Sequence, residues 1–408
     1  MRIAILSQYY PPEVGAAQNR VSALARLLAE RGHAVQVLTA LPHYPRRKIF
    51  PAYRRRLPMR ETIDGVEVHR LGLHLPSRHT SLRRMLHYSS FALNALLLGG
   101  RVLTPADYLI IESPPLHLVP AGALLARRLG AKLVLNVSDL WPASALQTGF
   151  IQPGLATRLA VRFEEWCYRQ AALITAQSEG TVEDIAARLP NKPVSLYPHG
   201  VDLKQWSNMP TRAVARRAMG WSEHSFIAGY VGLHDPAHAL HQVILAAQHL
   251  RDDPRIQIVL FGDGPQKHWL EARAKQLDVV NVRFHPEEPL HRLPTILAGL
   301  DVGLATLAAG KIFEGVRTSK MLEIMAAGRP VVLAARGESA RLFGEAQAGI
   351  VVPPDDPEGL SIAIRELLRD PERRAQLGEN GRRYVEQHFD NERIVGAIEN
   401  LLQARLGR

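Results

Sequence analysis

The 408 residues, 46% hydrophobic and 22% charged, are too many for a single hydrophobic core and too apolar for a disordered chain, so two folded domains are the expectation. A lone cysteine, Cys167, excludes an internal disulfide and any cysteine-based metal cluster. The net charge of +11 calls for an anionic partner, and charge by itself leaves nucleic acid, an acidic membrane and phosphorylated ligands open.

Met1-Arg2-Ile3-Ala4-Ile5-Leu6 turns polar at Ser7 without the apolar run or cleavage site of a signal peptide, which reads as a first strand, Arg2 to Ser7, of a cytoplasmic protein. A loop with Pro11-Pro12 and Gly15 follows, then Val21, Leu24, Ala25, Leu27 and Leu28 recur at helical spacing up to Gly32. Further strands are predicted at Val35–Thr39, Val66–Leu71, Tyr108–Ile111, Lys132–Val137, Leu173–Ala176 and Val194–Tyr197, with helical segments among them. Pro198-His199-Gly200-Val201-Asp202 interrupts this rhythm. The alternation resumes with strands at Ser225–Val231, Gln257–Phe261, Val280–Phe284, Val302–Ala305 and Val331–Leu333. Such alternation specifies an α/β chain with two doubly wound parallel sheets. The expected limits are a first domain over 1–198, a second over 199–385 and a closing helix over 386–408 that packs back on the first, with the two domains facing a cleft.

Basic residues gather at Arg46-Arg47-Lys48, Arg54-Arg55-Arg56 and Arg83-Arg84. The segment 82–103 is too interrupted by polar residues to span a bilayer, but with Arg83 and Arg84 it suits a helix lying on an acidic membrane surface. Packing against its own domain with the arginines snorkelling is the plainer alternative. The clusters lack the aromatic interleaving of a stacking groove, so no nucleic acid is expected.

Chemistry is expected in the loops at strand ends. Gly15, before the first helix, permits close backbone approach to a phosphate, or is an ordinary turn glycine. Asn136, Asp139 and Trp141 follow a buried strand; Asp139 can orient a sugar or act as a base, and Trp141 offers it a flat apolar face. After Gly232, His234 and His238 lie within a span of five residues, but no third ligand accompanies them, so phosphate contact is expected and metal is not. Most informative is Thr318 to Val332. There a short apolar helix stopped by Gly328 places Ser319 near the N-cap, Lys320 in the first turn and Glu323 one turn on. Free backbone N–H groups and Lys320 make an anion site for a diphosphate, and the Glu323 carboxylate can accept from two vicinal hydroxyls of a ribose. Dipole complement and a solvated lysine are the alternative. Lys311, Glu314 and Arg317 precede this helix in a stretch suited to closing over a ligand.

Taken in order, Tyr10-Pro11-Pro12-Glu13 with Gly15, Gly32-His33, Leu41-Pro42-His43-Tyr44-Pro45, Asp139-Leu140-Trp141-Pro142, His199-Gly200-Val201-Asp202, Gly229-Tyr230-Val231-Gly232, Gly262-Asp263-Gly264-Pro265 and Ser319-Lys320 through Gly328-Arg329-Pro330 resemble a family 4 glycosyltransferase of GT-B architecture. The similarity runs over nearly the whole length and is greatest to the subgroup acting in O-antigen, capsule and exopolysaccharide assembly. It implies a nucleotide-sugar donor in the C-terminal domain, a glycan or polyprenyl-linked acceptor in the N-terminal domain at Tyr10, Asn136 and Trp141, retention of anomeric configuration, no metal and no cofactor. By the same resemblance Glu323 matches the second acid of the family's Glu-x7-Glu motif. Position 315, where the first acid belongs, is Gly315, and Glu314 is one residue out of register. Leu233 stands where the family has an Arg and His238 near its Lys, leaving His234, His238 and Lys320 to hold the diphosphate, with Gly15, Gly232 and Ser319 contributing backbone. The reading that follows is transfer from a UDP-sugar with Asp139, Lys320 and His238 as catalytic groups, at the inner face of the plasma membrane or free in the cytoplasm. A GT-B epimerase and a catalytically idle nucleotide-sugar-binding protein are its rivals.

Overall fold

The computed structural model describes residues 1–13, 15–44, 48–54, 59–76, 81–143, 146 and 154–406. Arg46, Arg47, Arg55 and Arg56 of the basic clusters lie outside the described residues, as does the side chain of Arg84. The chain divides into two units: Met1–His199 with Asn391–Arg408, and Gly200–Asp390.

Eight strands make the sheet of the first unit: β1 (Arg2–Leu6), β2 (Ala34–Ala40), β3 (Met59–Ile63), β4 (Val66–Leu71), β5 (Tyr108–Ser113), β6 (Lys132–Val137), β7 (Leu173–Ala176) and β8 (Val194–Leu196), in the order β3-β4-β2-β1-β5-β6-β7-β8. Every pairing is parallel except β3 with β4. Along β1, Ile3 and Ile5 enter a core shared with the helices Ala16–Glu30 and Asn391–Leu406. Ala4 and Leu6 enter the opposite core, under the helices Ser81–Val102, Leu118–Leu129 and Leu155–Gln170. Burial on both faces is why these strands read as continuous apolar runs. The exception, β3, is an edge strand with no fully buried residue. It is joined to β4 by Asp64-Gly65, both at positive φ (49° and 77°), a two-residue hairpin turn.

The second unit has six strands: β9 (Phe226–Val231), β10 (Ile256–Phe261), β11 (Val282–His285), β12 (Val302–Thr306), β13 (Val331–Ala334) and β14 (Gly349–Val352). All are parallel, in the order β11-β10-β9-β12-β13-β14. The order reverses between β9 and β12, and ligands of doubly wound sheets bind beyond the strand ends at that point. The helix Ser319–Ala326 lies over it. A Cβ at Gly303 in β12 would fall 2.4 Å from Ile324 Cγ2, so a glycine lets this helix seat directly on the sheet. Met321, Leu322, Ile324, Met325 and Ala326 are buried, each large side chain contributing about 1.5–3 kcal/mol. Backbone bonds from Gly328 N–H to Met325 O and Arg329 N–H to Ile324 O close the helix, with Gly328 at φ +65°. Among the described residues no helix is long and apolar enough to cross a membrane. Cys167 is buried and its thiol pushed up to about 12, consistent with an inert packing role.

Candidate functional site

In the second unit, the loop after β9 and the helix Ser319–Ala326 bring together Gly232, His238, Lys320 and Glu323. Gly232 has φ +148°, and a Cβ there would stand 2.4 Å from Lys320 Cε. Both the angle and the space demand glycine, because the lysine stem crosses the backbone at this point. The Lys320 ammonium donates to His238 Nε2 over 2.5 Å and lies 5.4 Å from the Tyr230 ring centroid. For His238 to accept, its ring must be neutral. Burial and the adjacent Lys320 charge hold its pKa down to about 3, which meets that requirement. Asp235 completes the loop, accepting from the His238 backbone N–H at 3.2 Å, with its carboxylate 3.6 Å from His238 Nδ1.

Lys320 and Glu323 occupy one side of their helix because the five residues between and beyond them are committed to the core. Burial lowers Lys320 to about 8 and raises Glu323 to about 7, each partly offset by the charge of the other. Both therefore change charge near neutrality, as is common where a site is built for a charged ligand. Thr318 is the N-cap, with Ser319 the first helical residue, and no capping hydrogen bond comes from the Thr318 side chain. The first-turn N–H groups thus take no cap from the Thr318 side chain and share their turn with the ammonium, a combination suited to an anion.

Other predicted residues are placed differently. His234 is fully buried, between the Tyr230 and Phe284 rings, and burial with the Lys267 charge lowers its pKa. His234 and His238, both expected to contact the phosphates, have their pKa values lowered by burial and by a neighbouring lysine charge. Glu314 is exposed at the end of the short helix Lys311–Glu314, and Gly315 follows in ordinary right-handed backbone. The Glu314 backbone lies against Gly337, where a Cβ would stand 2.1 Å from Glu314 O. Arg317, expected to close over a ligand, is instead ion-paired with Glu338 and sits over the Phe389 ring. Leu233, at the family's arginine position, is 41% exposed.

In the first unit Gly15 is the N-cap of Ala16–Glu30, and Asp139 is exposed just after β6, with Trp141 half-buried beside His117. Tyr10 and Asn136 are each only 1% exposed. They cannot touch an acceptor: Tyr10 belongs to the core, and Asn136 donates to Glu112 at 2.6 Å and accepts from Thr175 at 2.8 Å. Half-buried Tyr9, packed on His43 and Tyr44, takes the outward position instead. The sequence reading also missed Arg20 and Glu112. This buried ion pair shares Ser138 with both partners and so anchors the loop that carries Asp139. A carboxylate directly after the predicted strand Tyr108–Ile111 was the available signal.

Residues 15–200 match the glycosyl transferase 4-like domain and residues 211–384 the glycosyl transferases group 1. WcaI of Escherichia coli (strain K12), whose name assigns it to colanic acid biosynthesis as a glycosyl transferase, is 27% identical over 98% of this chain and 99% of its own. Among solved structures, Anabaena Alr3699/HepE in complex with UDP and glucose aligns at 18% identity and TM-score 0.73 over 98% of this chain and 99% of its own. WaaG, a glycosyltransferase involved in lipopolysaccharide biosynthesis, aligns at 19% identity and TM-score 0.70 over 98% and 99%.

Proposed function

Because this chain belongs to the family 4 glycosyltransferases of GT-B fold, we propose that it transfers a sugar from a UDP-sugar to a hydroxyl of a lipid-linked or phosphorylated glycan in bacterial surface polysaccharide synthesis, with retention of configuration and without a metal. The observation that carries this reading is the Lys320 and Glu323 pair on one helix, with the Lys320 stem crossing the Gly232 turn at the end of β9. UDP is favoured by the ligand of Anabaena HepE, and the polysaccharide role by the names of WcaI and WaaG.

Negative charge grows on the departing diphosphate in the transition state, so fixed positive charge there lowers the barrier. Lys320 and the amide at Ser319 supply it. His238 holds the ammonium in place as a neutral acceptor, and Glu323 takes the ribose hydroxyls. Asp139 positions the acceptor in the first unit, with Tyr9 and Trp141 offering rings to its sugar and Gly15 an open backbone. Arg83, Arg84 and the 82–103 segment attach the enzyme to an acidic membrane surface. Leu233 and Gly315, which lack the family's charges, favour a second reading, a nucleotide-sugar-binding protein without turnover.

Calorimetric titration with UDP, GDP and ADP, with and without EDTA, tests the reading. Binding of UDP that is indifferent to EDTA and lost in Lys320→Ala and Glu323→Ala supports it. Binding of no nucleotide sinks it, and UDP binding without turnover of UDP-sugars moves the second reading ahead.

A further inference from the structure

We propose that the second unit holds a second anion site, for a phosphoryl group on a small solute, built by Arg212, Arg329 and Arg374 at the amino ends of β9, β12 and β13. It lies at the opposite end of the sheet from the Gly232 turn that Lys320 crosses, about 20 Å away along the six residues of β9. The site is independent of the donor reading.

Its framework is Asp301, buried just before β12. One carboxylate oxygen accepts from Arg212 Nε at 3.1 Å and Nη2 at 2.9 Å; the other accepts from Arg216 and from the Ile227 N–H at 2.7 Å. A single negative charge is thus divided between two guanidiniums. Arg216 is fully buried and spends its other donors on the carbonyls of Gly299, Ser222, Glu223 and Ser225, so it serves the fold.

Arg329 and Arg374 differ. Each is half-buried and gives one N–H to a carbonyl in the last turn of a helix, Arg329 Nη2 to Ala298 O and Arg374 Nη1 to Leu367 O, both at 2.6 Å. A carbonyl satisfies a donor but carries no net charge, so capping these helices leaves both cations uncompensated. Neither pairs with a carboxylate among the described residues. Asp370 also acts on Arg374, but its carboxylate accepts from the Arg373 N–H at 2.9 Å as the N-cap of Pro371–His388. Arg329 Nε is buried with no hydrogen-bond partner, and Arg374 lies over the Phe226 ring, 5.3 Å from its centroid, at the first residue of β9. Burial lowers the pKa of both, and neighbouring guanidiniums add to this against the pull of Asp301.

Positive charge that packing has half removed from water, without a counter-charge, is the condition a bound oxyanion relieves. Two uncompensated cations call for a dianion. A phosphoryl group carries about −1.5 to −2 near pH 7, where a carboxylate carries one charge. The guanidinium fork meets its oxygens with paired N–H bonds, and Arg212, its side chain 39% exposed, leaves the cluster open to solvent.

Calorimetric titration of the full chain with inorganic phosphate and with pyrophosphate at fixed ionic strength is the test, run on the parent, on Lys320→Ala and on Arg329→Gln/Arg374→Gln. Lys320→Ala removes anion binding at the donor site. The expected result is saturable binding that survives Lys320→Ala and weakens at least tenfold in the arginine variant. Phosphate should also raise the Tm of Lys320→Ala where chloride at equal ionic strength does not. Arg374→Gln alone, outside the Asp301 pairs, should weaken binding as well, and covers the case of a double variant that fails to fold. Three outcomes overturn the proposal: no saturable binding in Lys320→Ala, undiminished binding in both arginine variants, or equal stabilisation by chloride. Capture of phosphatidylglycerol vesicles through these arginines without a response to phosphate or pyrophosphate also overturns it, since the ligand would then be a lipid headgroup. Failure of the parent to bind UDP refutes the donor reading and leaves this site untouched.

Discussion

Replacing Glu323 by Gln should make the free protein more stable at neutral and alkaline pH while weakening nucleotide binding. Burial raises the Glu323 carboxyl to about 7, so the folded state keeps its proton in a range where the unfolded chain, with an ordinary value of 4.5, has released it. The ionised side chain therefore costs nothing below pH 4.5, an increasing amount between 4.5 and 7, and a constant amount above 7. That displacement corresponds to ~3 kcal/mol at ~1.4 kcal/mol per pH unit. Because Glu323 is only half-buried and Lys320 lies within a turn, about 1–2 kcal/mol is the expected cost. Glutamine keeps the shape and removes the charge, so its Tm should equal that of the parent near pH 4 and exceed it by about 2–6 °C at pH 8. UDP affinity should fall at least tenfold, since charge-assisted bonds to the ribose become neutral ones. Scanning calorimetry at several pH values, paired with UDP titration, reads both effects. A variant that is less stable than the parent at pH 8, or that binds UDP equally well, refutes the reasoning.

Other substitutions probe other parts of the site. Gly315→Glu should be accommodated, since a Cβ there meets nothing nearer than Ile312 O at 4.0 Å and its φ is −88°; UDP-sugar turnover should rise at unchanged Tm if a carboxylate is missing at this position. Gly262→Ala should abolish UDP binding in a titration, because its Cβ would fall 1.9 Å from Gly232 O at φ +138°, displacing the backbone that Lys320 crosses. Arg216→Ala, away from the site, strips the fully buried Asp301 of a principal partner and should cost about 3–5 kcal/mol by urea denaturation. A cost below about 1 kcal/mol would show that Arg212 alone suffices as its partner.

The two doubly wound sheets and the Lys320 helix were legible in the sequence because they rest on local pattern. Apolar strand runs come from burial on both faces, helical spacing from one-sided burial, and the end of the helix from a glycine with positive φ. Two strands escaped. The outer strand β14 is short and half-buried, and β3 carries no strong apolar alternation, although the Asp64-Gly65 turn beside it was a usable hairpin signal. Which of Tyr9 and Tyr10 faces outward was invisible, since adjacent residues in a loop have no fixed period. The charge states of the site were also beyond the sequence. His238 and Lys320 are 82 residues apart, and whether they repel as two cations or share one proton-donating bond depends on how deeply packing removes both from water. Local periodicity records which residues want to be buried. Only the tertiary structure decides which charged groups are buried together, and their pKa values follow from that.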